Sequence, residues 1–442
     1  MGTRSPRTSF FSSLIASIHW KGIHGDVGWQ ITERVVRIVF AFLLNILIAR
    51  LLGPETFGTY SYALSYVALF GFLGQAGLES LLLRELIQNR QAAPAILATG
   101  LALRVSGALI AAASSLALTV IVLNDDTGNV VPLVLILSIS GLIQAGWVIE
   151  IWLQANHCFR AVASVKITAY VLSATLRVTV LSLPHPLIWL AAVNVLESTL
   201  CLIGMWHAAR KCLGLHLRQL QRPSLGSLKK MAALITPMVF AAFTTAIYSR
   251  FDVLMLGYVS GVSAAGHYTA ASLLSEGFYI IPASLMAAAA PRLASIFVSS
   301  PDQFDKALSG FLWILSWTGL AIALLTTLLS PVAVPIIFGD TYAQTVEILQ
   351  IHIWSTWMVF ISVASDSWYI NRDLRKLYLA KTATAAAVNL ILNLTLIPNF
   401  NGKGAAIATV ISYAVSAIGF GLAVPVTRRL ARIQVRALIG LR

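Results

Sequence analysis

Long runs of apolar residues, separated by short polar connections, occupy most of this chain. About twelve of them are long enough to cross the roughly 30 Å apolar core of a bilayer as helices. Several runs follow one another after only a few residues, which predicts antiparallel helical hairpins. The predicted spans are 35–52, 57–80, 95–123, 131–154, 163–183, 186–206, 231–257, 264–289, 308–337, 345–370, 376–397 and 404–427.

The composition excludes an ordinary soluble domain. Of the 442 residues, 58% are hydrophobic and 11% are charged, whereas soluble domains average about 45–50% apolar and about 25% charged residues. A net charge of +14 in a soluble protein would suggest nucleic acid as a partner. Here the basic residues lie between apolar runs, where they orient membrane segments instead. Cys158, Cys201 and Cys212 lie in or beside apolar runs without metal-ligand spacing, so we expect neither a disulfide framework nor a metal site.

The basic residues alternate along the chain. Most of the 31 Lys and Arg residues lie in every second connection or at its helix ends. The other connections contain only Arg50 and Lys403 as cations, together with acids such as Glu55 and Asp340. By the positive-inside rule, both termini and the basic connections are cytoplasmic. The regular alternation also supports the helix count, because one missed helix would have exchanged the two sides midway.

A short motif appears twice and indicates a repeat. Residues 58–63 and 266–271 share the pattern Gly-x-Tyr-x-x-Ala, and each follows a Leu-Gly pair, at 52–53 and 256–257. The longest polar connection, 207–230, separates two blocks of about six helices, and an even number gives both copies the same orientation, as in a parallel repeat. The predicted organisation is a basic cytoplasmic segment at 1–34, an N-lobe at 35–206, a basic linker at 207–230, a C-lobe at 231–427 and a basic tail at 428–442.

Ionisable residues within the predicted spans are the candidate functional groups. A charged side chain at bilayer depth costs about 2.5–3.5 kcal/mol on insertion scales, so such groups face one another, a cavity or the membrane edge. Glu150 and Asp366 lie near cytoplasmic helix ends, which favours an interfacial position. For the deeper residues, a structural ion pair and a role in binding substrate or ion are equally open. The deeper residues are Arg104, Arg177, Glu197, Arg250, Asp252 and Glu276.

Arg250 and Asp252 are the most suggestive of these residues. They are two positions apart on one predicted helix and therefore point to different sides, so they are poor partners for each other. A deep arginine suits an anionic ligand, because its planar donor fork binds phosphate oxygens in pairs and stays charged. A deep acid suits a proton or cation that moves with transport. Enzyme signatures such as a phosphate loop, His-Glu-x-x-His or a nucleophile elbow are not present, which argues against an enzyme.

Several segments in a fixed order carry a family resemblance. They are Ile48 to Tyr60 with Ala76–Glu79 and Arg84-Glu85, Asp252 to Tyr268, Ile337 to Tyr342, and Val388 to Pro398 followed by Gly402 to Thr409. Together they resemble the O-antigen-type polysaccharide flippases of the multidrug/oligosaccharidyl-lipid/polysaccharide exporter (MOP) superfamily. The resemblance implies an all-α membrane protein, with two six-helix bundles related by a parallel pseudo-two-fold repeat around a cavity that opens alternately to either side.

The same resemblance implies a substrate and a set of site residues. The substrate would be a polyprenyl-diphosphate-linked oligosaccharide repeat unit, moved to the outer leaflet of the bacterial cytoplasmic membrane for surface polysaccharide such as the O-antigen of lipopolysaccharide. A polysaccharide polymerase and a chain-length regulator are the partners it suggests, and it implies no cofactor. The predicted substrate-binding residues are Arg250 and, as lesser candidates, Arg37, Arg50, Arg104 and Arg177. The predicted ion-coupling residues are Asp252, at a recurrent acidic position of the family, and, from their depth within the predicted spans rather than from the resemblance, Glu276 and Glu197.

Two other functions remain open at the level of the residues. A cation-coupled exporter of small drugs shares the fold and would depend on a buried acid while tolerating the loss of Arg250. A membrane polysaccharide polymerase or ligase belongs to a different class and usually needs a sizeable external catalytic loop. The connections in this chain are short, which disfavours the polymerase or ligase.

Overall fold

A computed structural model of the chain describes residues 26–75, 77–122, 130–214 and 221–439. Within those ranges, the regular structure is helical and contains no strand. Most of the predicted N-terminal segment 1–34 lies outside the described residues. The same is true of residues 215–220 of the predicted linker and 440–442 of the predicted tail.

Two sets of helices follow one another along the chain. The first set contains α1 (Asp26–Gly71), α2 (Leu78–Gln88), α3 (Ala93–Val122), α4 (Val130–Ala145), α5 (Val148–Ala155), α6 (Phe159–Val180) and α7 (Pro186–Leu213). The second set contains α8 (Leu225–Val259), α9 (Val262–Glu276), α10 (Ile280–Ser299), α11 (Pro301–Phe338), α12 (Ala343–His352), α13 (Trp354–Asn371), α14 (Arg375–Ala414), α15 (Phe420–Ala423) and α16 (Arg428–Ile439). We refer to the two sets as the N-lobe and the C-lobe.

The number of membrane crossings follows from helix length. Ten helical segments among the described residues are long and apolar enough to cross a membrane. Two of them, Thr32–Gln88 and Arg375–Ala423, have 57 and 49 residues, and a straight helix of that length would measure more than about 70 Å. Each is broken inside, at Gly53 and at Asn401, where φ is positive, so each crosses twice. The chain is therefore a multi-pass membrane protein, and its described residues make twelve crossings, one for each predicted span.

The crossings divide the connections between two sides of the molecule. One side carries both ends of the described chain and the connections that include Arg90, Arg160 and Arg372. We call it the basic side. The other side carries Gly53, Gly261, Gly339, Asn401 and the turn at 181–185, and we call it the opposite side.

Gly53 and Gly261 make the same corner in the two lobes. Their φ and ψ angles are 74° and 169° for Gly53 and 87° and 162° for Gly261, a conformation that only glycine adopts without strain. Gly58 and Gly266 of the repeated motif each lie five residues beyond their corner. The equivalent of Gly53 is therefore Gly261. The Leu-Gly pair at 256–257, which the sequence comparison aligned with 52–53, lies one helical turn too early.

The two lobes meet where α1 crosses α9. A Cβ atom added to Gly58 would overlap the carbonyl oxygen of Val262, and one added to Gly266 would overlap the carbonyl oxygen of Pro54. The contact is reciprocal, because each glycine faces the residue that follows the corner of the other lobe. Reciprocal contacts of this kind are the mark of a two-fold axis, here relating the two halves of one chain. The predicted parallel repeat is confirmed.

Apolar packing holds the lobes together around this crossing and continues into each lobe. One cluster combines Leu44 and Ile48 of α1 with Leu256 of α8 and Phe338 of α11. A second cluster lies in the N-lobe towards the basic side and includes Met231 from the first half of α8. A third fills the C-lobe and includes residues of the short helix α16, which packs on α11.

Candidate functional site

Asp252 lies at the centre of a buried polar cluster in the C-lobe. The residue is 6% exposed. Its Oδ2 atom accepts hydrogen bonds from the Tyr268 hydroxyl at 2.6 Å and from the Thr409 hydroxyl at 3.1 Å, and its Oδ1 atom accepts one from Asn393 Nδ2 at 2.7 Å. Every donor is neutral, and Asp252 forms no ion pair with the described residues. The negative charge of Asp252 is therefore not neutralised by a described residue, and one proton or one monovalent cation would neutralise it.

Asn389 extends this cluster along α14. Asn389 and Asn393 are one helical turn apart, and Asn393 Nδ2 also donates to Asn389 Oδ1 at 3.0 Å. Asn393 Oδ1 and Asn389 Nδ2 are buried and have no hydrogen-bond partner among the described residues. Carboxylate, amide and hydroxyl oxygens are the donors that hard cations prefer. No group of three or more His, Cys, Asp or Glu residues in the described chain is arranged to hold a metal ion. The possible cation ligands at this cluster are therefore the carboxylate of Asp252 and neutral side-chain oxygens.

The sequence prediction identified Asp252 but not its partners as site residues. Asn389, Asn393 and Thr409 were recognised only as part of a family motif. The spacing of the two asparagines was an available signal, since it places two amides on one face of an apolar helix. Tyr268 was visible only as the repeat tyrosine.

Arg250 and Glu276 lie beside this cluster but are exposed. Arg250 forms no hydrogen bond or ion pair with the described residues, although its charge acts on the Glu276 carboxylate. The position after Glu276 is Gly277, and Gly277 packs against the ring of Phe42 from the N-lobe. Glu276 therefore lies near the N-lobe, and the guanidinium of Arg250 has no hydrogen-bond or ion-pair partner among the described residues.

Tyr60, the repeat equivalent of Tyr268, anchors a corresponding cluster in the N-lobe. Its hydroxyl accepts a hydrogen bond from Asn194 Nδ2 at 2.7 Å. Arg177 Nη2 donates to Asn194 Oδ1 at 2.9 Å and to Glu197 Oε2 at 2.7 Å, and Ser173 donates to the same Glu197 oxygen at 2.6 Å. Of the two alternatives for Arg177 and Glu197, the geometry supports the ion pair. The two lobes thus share a tyrosine but differ in charge, because no cation among the described residues is bonded to the Asp252 cluster.

A cavity of about 590 Å³ lies in the basic half of the N-lobe. It brings together three of the predicted site residues, Arg37, Arg104 and Glu197. Arg37 is paired with Glu33 at 2.9 Å. Arg104 is 8% exposed, and it forms no hydrogen bond or ion pair with any residue that the structure describes.

Ion pairs account for the two acids that were predicted near the cytoplasmic helix ends. Glu150 also lines the cavity and is paired with Lys166 at 2.5 Å. Asp366 is paired with Lys381 in the C-lobe. Neither acid is left facing lipid alone.

Arg50 lies apart from these groups, on the opposite side. Its Nη1 atom donates to the carbonyl oxygen of Ile336 at 2.6 Å, in the last turn of α11, where a cation also interacts favourably with the helix dipole. Next to it, the Tyr342 hydroxyl donates to the carbonyl oxygen of Ala49 at 2.7 Å. Arg50 therefore joins the N-lobe to the C-lobe, while Arg37 and Arg104 line a cavity within one lobe.

Comparison with known proteins now places the chain in a family. Residues 24–297 match the family model described as polysaccharide biosynthesis protein. The chain belongs to this family. No curated protein sequence matches this family member significantly.

Solved structures with the same fold belong to the MOP superfamily. An inward-facing multidrug resistance MATE family transporter superposes with a TM-score of 0.71 and 14% identity, covering 94% of this chain and 99% of the transporter. The lipid II flippase MurJ, in an inward closed conformation, superposes with a TM-score of 0.67 and 15% identity over 94% and 91% of the two chains. A MOP superfamily transporter from Pyrococcus furiosus gives a TM-score of 0.54 at 13% identity over 94% of each chain. The family resemblance seen in the sequence and the predicted all-α fold class are confirmed.

Proposed function

We propose that this polysaccharide biosynthesis protein is a flippase for polyprenyl-diphosphate-linked oligosaccharide repeat units. It would move them from the inner to the outer leaflet of the bacterial cytoplasmic membrane, by alternating access, for surface polysaccharide such as O-antigen. The observation that carries the proposal is a MOP fold in a chain of the polysaccharide biosynthesis family. A protein with this fold that is named a lipid II flippase supports it further.

The direction of transport follows from the proposed orientation. With the basic side in the cytoplasm, as the positive-inside rule requires, the N-lobe cavity lies in the cytoplasmic half of the protein. The lobes contact each other on the opposite side, through Arg50 and Tyr342. Substrate would therefore enter from the cytoplasmic leaflet, and release would require these contacts to open.

Arg250 is the residue that we propose to bind the diphosphate. It is exposed and forms no hydrogen bond or ion pair with the described residues, so its donors are available, and its planar fork matches phosphate oxygens. Arg177 and Arg50 have the same side chain, but their donors are engaged by Glu197 and by Ile336. We propose that these two arginines hold the protein together rather than contact substrate.

Asp252 is the proposed coupling site. Its carboxylate is buried among neutral donors, and binding one proton or one monovalent cation there would remove an uncompensated charge from the membrane interior. Glu276 interacts electrostatically with both Asp252 and Arg250. Ion binding at Asp252 would therefore change the electrostatic environment of Glu276, which is the acid beside Arg250. Glu197 is the N-lobe candidate, already neutralised by Arg177.

Reconstitution in liposomes tests the function directly. A labelled polyprenyl-diphosphate oligosaccharide is placed in both leaflets, and its exposure to an external sugar-modifying reagent is followed over time. The flippase is supported if the inner-leaflet fraction becomes exposed in liposomes that contain the wild-type protein but not in liposomes that contain the Arg250→Ala variant. No exposure across several glycans, together with ion-driven efflux of an organic cation, would instead favour the exporter of small drugs. The polymerase and chain-length regulator stay predictions from the resemblance.

A further inference from the structure

The N-lobe cavity is lined by equal numbers of cations and carboxylates. Its lining includes the cations Arg34, Arg37, Arg104 and Lys166 and the carboxylates of Glu33, Glu79, Glu150 and Glu197. Two pairs lie within this set, Arg37 with Glu33 and Lys166 with Glu150, and Glu197 is paired with Arg177 just outside it. Arg34, Arg104 and Glu79 remain without an ion pair among the described residues.

Arg104 differs from the other two unpaired residues because it is buried. Arg34 and Glu79 are exposed, whereas Arg104 is 8% exposed and its Nε atom has no hydrogen-bond partner among the described residues. Glu79 and Glu150 are the acids whose charges act on it, and neither lies within ion-pair distance. A guanidinium held away from bulk water without an acceptor is costly, so this position is suited to an incoming oxyanion.

The rest of the lining favours a sugar over a diphosphate. Gln75, Gln144 and Gln154 present amides, which both donate and accept hydrogen bonds and so match hydroxyl groups. Trp147 and Tyr170 add aromatic surface. Three of the four carboxylates are already paired, so the unpaired lining charges are Arg34, Arg104 and Glu79, which sum to one positive charge. That charge offsets a single carboxylate but not a diphosphate, which carries more than one negative charge. A sugar ring with a single carboxylate fits the charge and the polarity better.

We propose that this cavity is a glycan subsite for an acidic sugar, such as a uronic acid residue of the transported repeat unit, with Arg104 as the residue that selects the carboxylate. The proposal rests on the proposed function and adds the class of sugar. The subsite is separate from Arg250, which is the proposed diphosphate contact in the other lobe.

Binding of soluble glycans tests the subsite without transport. Purified full-length protein in nanodiscs is titrated calorimetrically with tetragalacturonate, with the neutral tetrasaccharide maltotetraose and with farnesyl diphosphate. We expect the acidic glycan to bind about tenfold more tightly than the neutral one, the preference that one charged hydrogen bond provides. Arg104→Gln should remove this preference, and Arg104→Lys should keep part of it. Farnesyl diphosphate should bind with unchanged affinity in both variants.

Arg84→Gln is the matched control. Arg84 lies on α2 on the same side of the protein but does not line the cavity, and its side chain is 60% exposed. It should bind both glycans as the wild type does. Thermal unfolding of each variant in detergent separates a loss of binding from a loss of folding.

Two results would overturn the subsite. One is equal binding of the acidic and neutral glycans, or no binding of either, by the wild type. The other is an affinity for farnesyl diphosphate that falls in Arg104→Gln while the glycan preference is unchanged, which would assign Arg104 to the carrier phosphate. Failure of the proposed function would look different, as absent flipping in liposomes with the glycan preference intact.

Discussion

Gly58 and Gly266 face each other across the pseudo-two-fold axis, and neither position has room for a Cβ atom. An added methyl group at either glycine would overlap a backbone carbonyl of the facing helix, at Val262 or at Pro54. Backbone atoms cannot move aside as a flexible side chain can. The two lobes therefore contact each other through the repeated motif itself.

Replacing either glycine by alanine should separate the lobes on the opposite side. We expect Gly266→Ala to destabilise the protein by about 1–3 kcal/mol, as overpacking usually does, and to lower its unfolding temperature in detergent. Gly310→Ala is the matched control, since no atom lies within 4 Å of the added methyl group. Equal unfolding temperatures for the two variants would show that the crossing is looser than described.

Arg50→Ala should loosen the same side by a different route. The hydrogen bond to Ile336 joins the lobes, so its loss favours separation. In a variant without native cysteines, a cysteine introduced at the fully buried Ala49 should react with an external maleimide several-fold faster when Arg50 is replaced by alanine than when Arg50 is present. Lys403→Ala is the control, because Lys403 is paired with Glu347 inside the C-lobe on the same side. A similar increase in Lys403→Ala would mean that the effect is not specific to the lobe contact.

Arg177→Gln should act on stability. It leaves the carboxylate of Glu197 without its counter-charge. The site is largely buried, since the side chain of Arg177 is 14% exposed and that of Glu197 is 21% exposed. We expect a loss of about 2 kcal/mol or more, seen as a lower unfolding temperature. The neutral pair Arg177→Gln with Glu197→Gln should recover most of it. If Arg177→Gln unfolds like the wild type but does not transport, Arg177 contacts substrate after all.

Arg250 should behave in the opposite way. Arg250→Ala and Arg250→Lys should both abolish flipping, because a methyl group has no donors and an ammonium lacks the paired geometry. Expression and unfolding temperature should stay normal, since the side chain is exposed and makes no ion pair with the described residues. Lys229→Ala, at an exposed cation near the start of the same helix, should transport normally. Normal transport by Arg250→Ala would remove Arg250 from the substrate path.

Asp252→Asn should uncouple transport from its driving ion. The substitution keeps the side-chain shape and acceptors for Tyr268 and Thr409 but removes the charge, so the fold should persist. Flipping is compared under imposed proton and sodium gradients. The gradient that accelerates flipping by the wild type should have no effect on the Asp252→Asn variant. Asp340→Asn, an exposed acid on the opposite side, should keep it. A response that survives in Asp252→Asn would move the coupling site elsewhere.

The roles of like residues could not be assigned from the sequence, and the five candidate arginines illustrate this. All were plausible anion ligands because each lies in or near an apolar span. Folding directs Arg50 to a carbonyl 286 residues away, Arg177 to Glu197, and Arg104 into a cavity where no described residue forms a hydrogen bond or ion pair with it. Hydrophobicity places a helix in the membrane but does not set its rotation or its neighbours, which depend on packing with other helices. Charge type alone therefore could not separate a structural arginine from a ligand-binding one.

The sequence by itself determined the features that depend on one helix at a time: the twelve crossings, the alternation of basic connections and the repeated Gly-x-Tyr motif. These follow from apolar length, loop charge and local residue pattern, which are properties of contiguous segments. Only the tertiary structure decided that Gly261 rather than Gly257 matches Gly53, and that Asp252 meets Asn393 and Thr409, 141 and 157 residues along the chain. The physical reason is that such contacts arise from how helices pack, and packing depends on all of them together.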